Sequence, residues 1–179
     1  MKQIAYISET TNQYPVYLFD KITAQKYIEI ITQLVQQIPL VEYTEEEILS
    51  ERKGERVLYG KWDYSLIAFD NDQPIALLMA YERAAEQNQQ YPENSIYISE
   101  LAVSEKYQRK GIAKGLLKIF FNLNRKQKLG YLPGEVSFSV QTNSAKWNDH
   151  VQKLYSSFGF NPRATKQYNN REDIVFEKK

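Results

Sequence analysis

The chain has 179 residues, 42% apolar and 25% charged, and its 23 basic and 22 acidic side chains leave a net charge of +1. That is ordinary composition for one globular domain with a substantial core, and near-neutrality argues against a non-specific nucleic-acid or membrane-surface binder. Cysteine is absent and His150 is the only histidine, so a disulfide scaffold, a thiolate zinc site and a cysteine nucleophile are excluded and no metal site is expected. No apolar stretch approaches the ~20 residues that span a bilayer, and the opening MKQIAYISET lacks the apolar run of a signal peptide. The expectation is a soluble, cytoplasmic protein.

In chain order, Lys2–Ser8 and Tyr14–Phe19 alternate weakly, as two short strands or one broken strand would. Thr23–Ile38 reads as a helix with Tyr27, Ile31, Leu34 and Ile38 on one face and Pro39 beyond its end. Thr44 followed by Glu45, Glu46 and Glu47 is a capping box, with Tyr43 and Ile48 spaced for a hydrophobic staple, and a short helix should follow and finish near Gly54. The three glutamates then form a solvated first turn facing the helix dipole and need no ligand. Trp62–Phe69 and Pro74–Tyr81 read as an antiparallel hairpin turning at residues 70–73. Ala84–Asn94 is polar and reads as an exposed loop.

Ser95–Phe121 is the most informative stretch. Ile96–Val103 is apolar and rich in β-branched residues, as a buried strand should be. Ser104–Tyr107 is polar and ends that run, and from Gly111 the apolar residues fall at helical spacing to about Lys128. A strand that feeds a helix through a short glycine-bearing loop aims several backbone N–H groups and the positive end of the helix dipole at one spot, which favours phosphate. The same loop is also consistent with an ordinary strand-to-helix turn. Neither G-x-G-x-x-G nor G-x-x-x-x-G-K-[ST] occurs anywhere. Glu135–Val140 then reads as a strand, and Asn143–Phe158 as a helix with Trp147, Val151, Leu154 and Phe158 on one stripe and Gly159 as its cap. Strands around Arg163–Tyr168 and Asp173–Glu177, turning at 169–171, complete the chain.

Gln108-Arg109-Lys110-Gly111-Ile112-Ala113 matches the Q/R-x-x-G-x-G/A signature of the GCN5-related N-acetyltransferase (GNAT) family. The whole strand–loop–helix phrase resembles that family more specifically than the six residues do, and the resemblance runs from about Trp62 to Phe160 and is thin before Tyr43. It implies one GNAT-like domain over residues 1–179, an α/β fold with a central mixed, mostly antiparallel sheet and helices on both faces. It also implies acetyl-CoA as co-substrate and no metal. By resemblance, the amides of residues 108–113 hold the CoA pyrophosphate and Leu101, Ala102 and Val103 lie beside the pantetheine arm, with the Val103 N–H donating to the thioester carbonyl. Leu154-Tyr155-Ser156-Ser157-Phe158-Gly159-Phe160 resembles the family's L-Y-x-x-x-G-F segment. Tyr155 is then the group that protonates or hydrogen-bonds the departing thiolate. Asn148, about two helical turns earlier, is then a contact to the cofactor.

Glu100 interrupts the apolar strand, and a carboxylate there must reach water, a partner or a cleft. The family often places an acidic general base nearby; Glu82 and His150 are the other candidates, and His150 is expected at the surface. With no cysteine, direct attack by an amine in a ternary complex is favoured over a covalent acyl-enzyme. The acceptor, small molecule or protein, is unconstrained: protein lysine, protein N-terminus, polyamine, amino acid and aminoglycoside all remain, and a homodimer stays open. Acceptor choice should lie in Tyr43–Gly60, Ala84–Asn94 and the terminal hairpin, where Glu82, Glu86 and Glu93 would suit a cation. Two other readings stay open. One is an acyl-CoA sensor without transfer. The other is a nucleic-acid module using the Lys110, Lys114, Lys118, Arg125, Lys126 and Lys128 stripe, which the net charge and the lack of a nucleic-acid motif disfavour.

Overall fold

A computed structural model describes residues 1–9, 12–38, 43–85, 91, 93–125 and 128–179. The chain forms two compact units, the first made of Met1–Tyr81 and Glu100–Arg125, the second of Glu82–Ser99 and Lys126–Lys179.

The first unit opens with β1 (Gln3–Glu9) and β2 (Asn12–Leu18), two strands paired antiparallel. Asp20 caps the next helix, accepting a 2.7 Å hydrogen bond from the Thr23 N–H. The expected single helix is two, α1 (Lys21–Lys26) and α2 (Ile28–Gln36), with Tyr27 between them at φ −117°. Hydrogen bonds from Tyr27 N to Thr23 O and from Ile31 N to Tyr27 O carry the ladder through the kink, which is why the apolar spacing reads as one helix. The capping box forms as expected and starts α3 (Glu45–Leu49), which stops five residues short of Gly54. Two two-residue strands follow, β3 (Arg52–Lys53) and β4 (Arg56–Val57).

Where the sequence alternates like a strand from Trp62, the structure has a helical turn, α4 (Lys61–Tyr64), and then β5 (Leu66–Asp70). Gly60 makes the difference. At φ +67° it is left-handed, and its carbonyl accepts from both Asp63 and Tyr64, folding the segment before the strand begins. β6 (Gln73–Arg83) pairs antiparallel with β5 and is buried from Pro74 onward, in keeping with its nearly unbroken apolar run. β7 (Ser95–Val103) leads through a 3-10 turn at Glu105–Tyr107 into α5 (Ile112–Leu123), which ends earlier than the expected Lys128. Strands of this unit lie in the order β1-β2-β5-β6-β7. Phe19, Ile31, Leu34, Val35, Ile48, Ile67, Phe69, Leu77, Met79 and Ala102 form its core.

Strands of the second unit lie in the order β7-β8-β10-β9. β8 (Phe138–Asn143) pairs parallel with Ile96–Ile98 of β7, and β9 (Asn161–Gln167) and β10 (Glu172–Lys178) form the terminal hairpin. A 3-10 turn at Lys146–Asn148 precedes α6 (Asp149–Ser157), and Gly159 at φ +84° ends it as expected. Trp147 lies outside the expected apolar stripe and is half-exposed, because its segment is the 3-10 turn and not yet the helix. The expected loop 84–94 lies largely at 86–90 and 92, outside the described residues. Tyr91 within it is buried, its hydroxyl donating to Gln141 at 2.8 Å. The expected fold class, a mixed and mostly antiparallel sheet with helices, is the one observed.

Gly115 sets how closely α5 approaches β1. A Cβ there would lie 2.8 Å from both Cγ1 and Cγ2 of Ile7, a buried β-branched side chain with little freedom to yield. Gly115→Ala should therefore lower the unfolding midpoint, overpacking of about 1–3 kcal/mol outweighing a helix-propensity gain of about 1 kcal/mol. Ile7→Ala made alongside it should return part of the loss, as a double-mutant cycle read by thermal unfolding would show.

Candidate active site

The loop between β7 and α5 has two left-handed residues, Arg109 at φ +61° and Gly111 at φ +77°. Alternation of this kind turns successive N–H groups toward a common side, forming an anion-binding concavity at the helix start. Gly111 is the residue before α5, and among the described residues nothing beyond its chain neighbours comes within 4 Å of the position of a Cβ there. The Gln108 side chain donates to the Val103 carbonyl at 3.0 Å and closes the loop on itself. Tyr107 anchors it below, donating to Asp70 at 2.7 Å and meeting the Tyr14 ring edge-on. Gln108, Arg109, Lys110 and Gly111 are exposed, Ala113 is half-buried and Ile112 is buried. Ile112 therefore has only its backbone to offer a ligand.

Glu100 lies in the same unit, on β7 just before Leu101, Ala102 and Val103. Its carboxylate is buried at 7% exposure and accepts a 2.6 Å hydrogen bond from the Tyr43 hydroxyl. Burial pushes this carboxyl up to about 7, against the opposing pull of the Tyr43 hydrogen bond and the Lys53 and Lys61 charges. Lys61 is itself buried, its ammonium donating to the carbonyls of Ile48 at 2.7 Å and Ser50 at 2.6 Å, and desolvation draws it down to about 8. Tyr43, half-buried, is held up by its own desolvation and by the adjacent Glu100 charge, so it stays a hydrogen-bond donor. A carboxyl that exchanges its proton near neutrality is suited to acid–base work.

Tyr43 and Lys53 fall in the Tyr43–Gly60 segment expected to choose the acceptor, but nothing in the sequence joins either to Glu100, and Lys61 lies just outside that segment. Glu100 itself carried the only usable signal, because a carboxylate in an apolar strand implies a donor somewhere. Periodicity could not say that the donor stands beside the capping box.

In the second unit, Tyr155 is buried on α6 and packs edge-to-face on Phe160 at 5.6 Å between centroids. Asn148 is buried in the 3-10 turn, where its amide donates to Thr142 Oγ1 at 2.6 Å and to the Asn143 carbonyl at 2.8 Å. Both amide hydrogens are thus committed to β8, and only the side-chain oxygen can accept from a ligand. Glu82, an alternative base, is fully buried and accepts backbone N–H bonds from Gly130, Tyr131 and Leu132. It fastens a loop. His150 is exposed, as expected.

A family model described as an acetyltransferase (GNAT) domain matches residues 61–162, which include β7, its loop and α6. The chain belongs to the GNAT acetyltransferase family. Solved structures share the fold of this GNAT protein at low identity. Naa50 of Arabidopsis thaliana, in complex with the bisubstrate analogue CoA-Ac-MVNAL, is 17% identical with a TM-score of 0.66, covering 93% of this chain and 98% of its own. Ard1 of Thermoplasma volcanium is 18% identical with a TM-score of 0.69, covering 92% and 96%. The ribosomal-protein-S18-alanine N-acetyltransferase of Escherichia coli is 15% identical with a TM-score of 0.64, covering 92% of each chain. No curated protein matches the chain by sequence. Among the described residues no helix is long and apolar enough to cross a membrane.

In this GNAT protein the raised Glu100 carboxyl links stability to pH. Its value lies above the unfolded one of 4.5, so burying it is favourable when it is protonated and increasingly costly as pH rises through about 7. Glu100→Gln removes that cost while keeping an acceptor for Tyr43. The variant should gain stability over the wild type between pH 5 and pH 8, by up to about 3 kcal/mol. Urea unfolding at the two pH values measures it, and an equal difference at both would contradict the buried-charge account.

Proposed function

We propose that this GNAT protein, acting as one domain over residues 1–179, transfers an acetyl group from acetyl-CoA to a primary amine by direct attack in a ternary complex, with a peptide α-amine as acceptor. The observation that carries this reading is the buried Glu100 carboxyl, held at 2.6 Å by the Tyr43 hydroxyl in the unit that bears the β7–α5 loop, where burial pushes it up to about 7. An α-ammonium of pKa ~8 gives its proton to such a base against a gap of about one unit, roughly 1.4 kcal/mol. A lysine ammonium at ~10.4 faces a gap more than three times larger. The bisubstrate analogue CoA-Ac-MVNAL bound to the Arabidopsis relative points to the same acceptor class.

Acetyl-CoA supplies the thioester. In this reading the N–H groups of residues 108–113 take its pyrophosphate at the start of α5, with Arg109 and Lys110 adding charge at the exposed rim. Leu101, Ala102 and Val103 continue β7 beyond its ladder with β8, and their backbone groups serve the pantetheine arm, the Val103 N–H facing the carbonyl oxygen. Glu100 accepts the ammonium proton that frees the amine lone pair, and the second proton, lost from nitrogen as the C–S bond breaks, ends on the departing sulfur. Tyr155 stabilises the leaving sulfur. A phenol at ~10 and a thiol at ~8.5 are too poorly matched for strongly driven transfer, so a hydrogen bond suffices. Asn148 contributes its side-chain oxygen to the cofactor.

Calorimetric titration with acetyl-CoA and with desulfo-CoA should give saturable one-to-one binding. Thiol release should then follow with the pentapeptide Met-Val-Asn-Ala-Leu and be at least tenfold slower with Nα-acetyl-lysine. No binding at millimolar acetyl-CoA overturns the reading, and equal rates overturn the acceptor class. Gly111→Ala is the sharper probe of the loop. The protein itself leaves room for the methyl group and only the left-handed backbone opposes it, at about 1 kcal/mol. The variant should stay folded and lose acetyl-CoA affinity tenfold or more. Tyr155→Phe should lower turnover about 10²-fold with acetyl-CoA affinity within a few-fold of wild type, whereas unchanged turnover would reduce Tyr155 to packing.

A further inference from the structure

We propose that Tyr43 is the positioning residue for the Glu100 carboxylate, and that Lys53 completes a short chain of donors behind it. The inference rests on the reading of Glu100 as the base and assigns what holds that base in place. The Tyr43 hydroxyl donates to Glu100 Oε1 at 2.6 Å, a charge-assisted contact at a group with 7% exposure. Lys53 Nζ in turn donates to the Tyr43 oxygen at 3.4 Å and stands 5.2 Å from the centre of its ring. The lysine thereby polarises the phenol toward the carboxylate.

Tyr43 is also mounted for the task. It directly precedes Thr44, whose side chain and backbone are locked with Glu47 in the capping box of α3. Its ring packs against the core cluster that contains Ile48, the staple partner. A carboxylate alone on an apolar strand can rotate. With one oxygen held by a fixed phenol, the other is presented in a defined direction, as a base in a ternary complex requires. The charged and titratable groups that bear on this pair come from every neighbouring element. They are Glu47 of α3, Lys53 of β3, Lys61 of α4 and Tyr81 of β6.

The first readout needs no acceptor. Infrared difference titration of the free protein reads the protonated carboxyl band of Glu100 directly, and its loss in Glu100→Gln assigns it. In Tyr43→Phe, which keeps the ring and removes the donor, the band midpoint should move up by about one pH unit, a tenfold change in proton affinity. Lys53→Gln, at an exposed site, should move it the same way by less. The acid limb of thiol release with the pentapeptide should shift in parallel, with the KM for acetyl-CoA unchanged. A midpoint that stays put in Tyr43→Phe overturns the positioning role while leaving Glu100 as the base. A near-neutral band that survives in Glu100→Gln overturns the base reading, and this inference with it. A rise in acceptor KM without any shift of the limb makes Tyr43 a substrate contact and likewise overturns it.

Discussion

A carboxylate carried into the apolar interior of β7 is the constraint from which most of the first unit follows. Glu100 can be there only because a donor reaches it, and the donor has to arrive from outside the sheet. Tyr43 does so from the segment before α3. That short helix is fixed by its capping box at one end and by the Lys61 ammonium on the Ile48 and Ser50 carbonyls at the other. A polar cluster this well connected sits at the margin of what a low-dielectric site tolerates. Its cost in stability is that of a buried carboxyl pushed up to about 7.

The second unit handles its buried acid differently. Glu82 receives three backbone N–H bonds, so both its oxygens are occupied. The contrast between the two glutamates comes down to what kind of donor each has. Three successive backbone amides reach Glu82, whereas one phenol reaches Glu100, and burial pushes the Glu100 carboxyl up to about 7 against that hydrogen bond and the nearby Lys53 and Lys61 charges. Tyr91 in the same unit is held by a side-chain hydrogen bond to Gln141.

Much of this was legible in the sequence. The β7–loop–α5 phrase, the capping box at Thr44, the hairpin of β5 and β6 and the terminal hairpin all stand where local chemistry puts them. Each is encoded by neighbours within a few residues. The family match over 61–162 follows the same stretch in which the motifs are dense. The kink at Tyr27 and the helical turn at Lys61 were not legible. Both depend on one backbone conformation that leaves the apolar spacing intact or imitates another period. The Tyr43–Glu100 contact spans 57 residues and was invisible for a plainer reason. A long-range hydrogen bond leaves no period in the sequence.

The α3 helix has one more consequence, for the order in which the chain assembles. Five residues are too few to be helical alone, since nucleation costs more than one turn of hydrogen bonds returns. Its last carbonyls are met by Lys61, which follows in sequence and is placed by the turn at Gly60. The helix can therefore persist only after α4 and the core around Ile48 have come together. The Tyr43–Glu100 contact closes across 57 residues and so requires β7 to be in place. Until then Glu100 is an ordinary solvated carboxylate. A chain emerging in order thus closes the Tyr43–Glu100 hydrogen bond only when the strands before β7 are already in place.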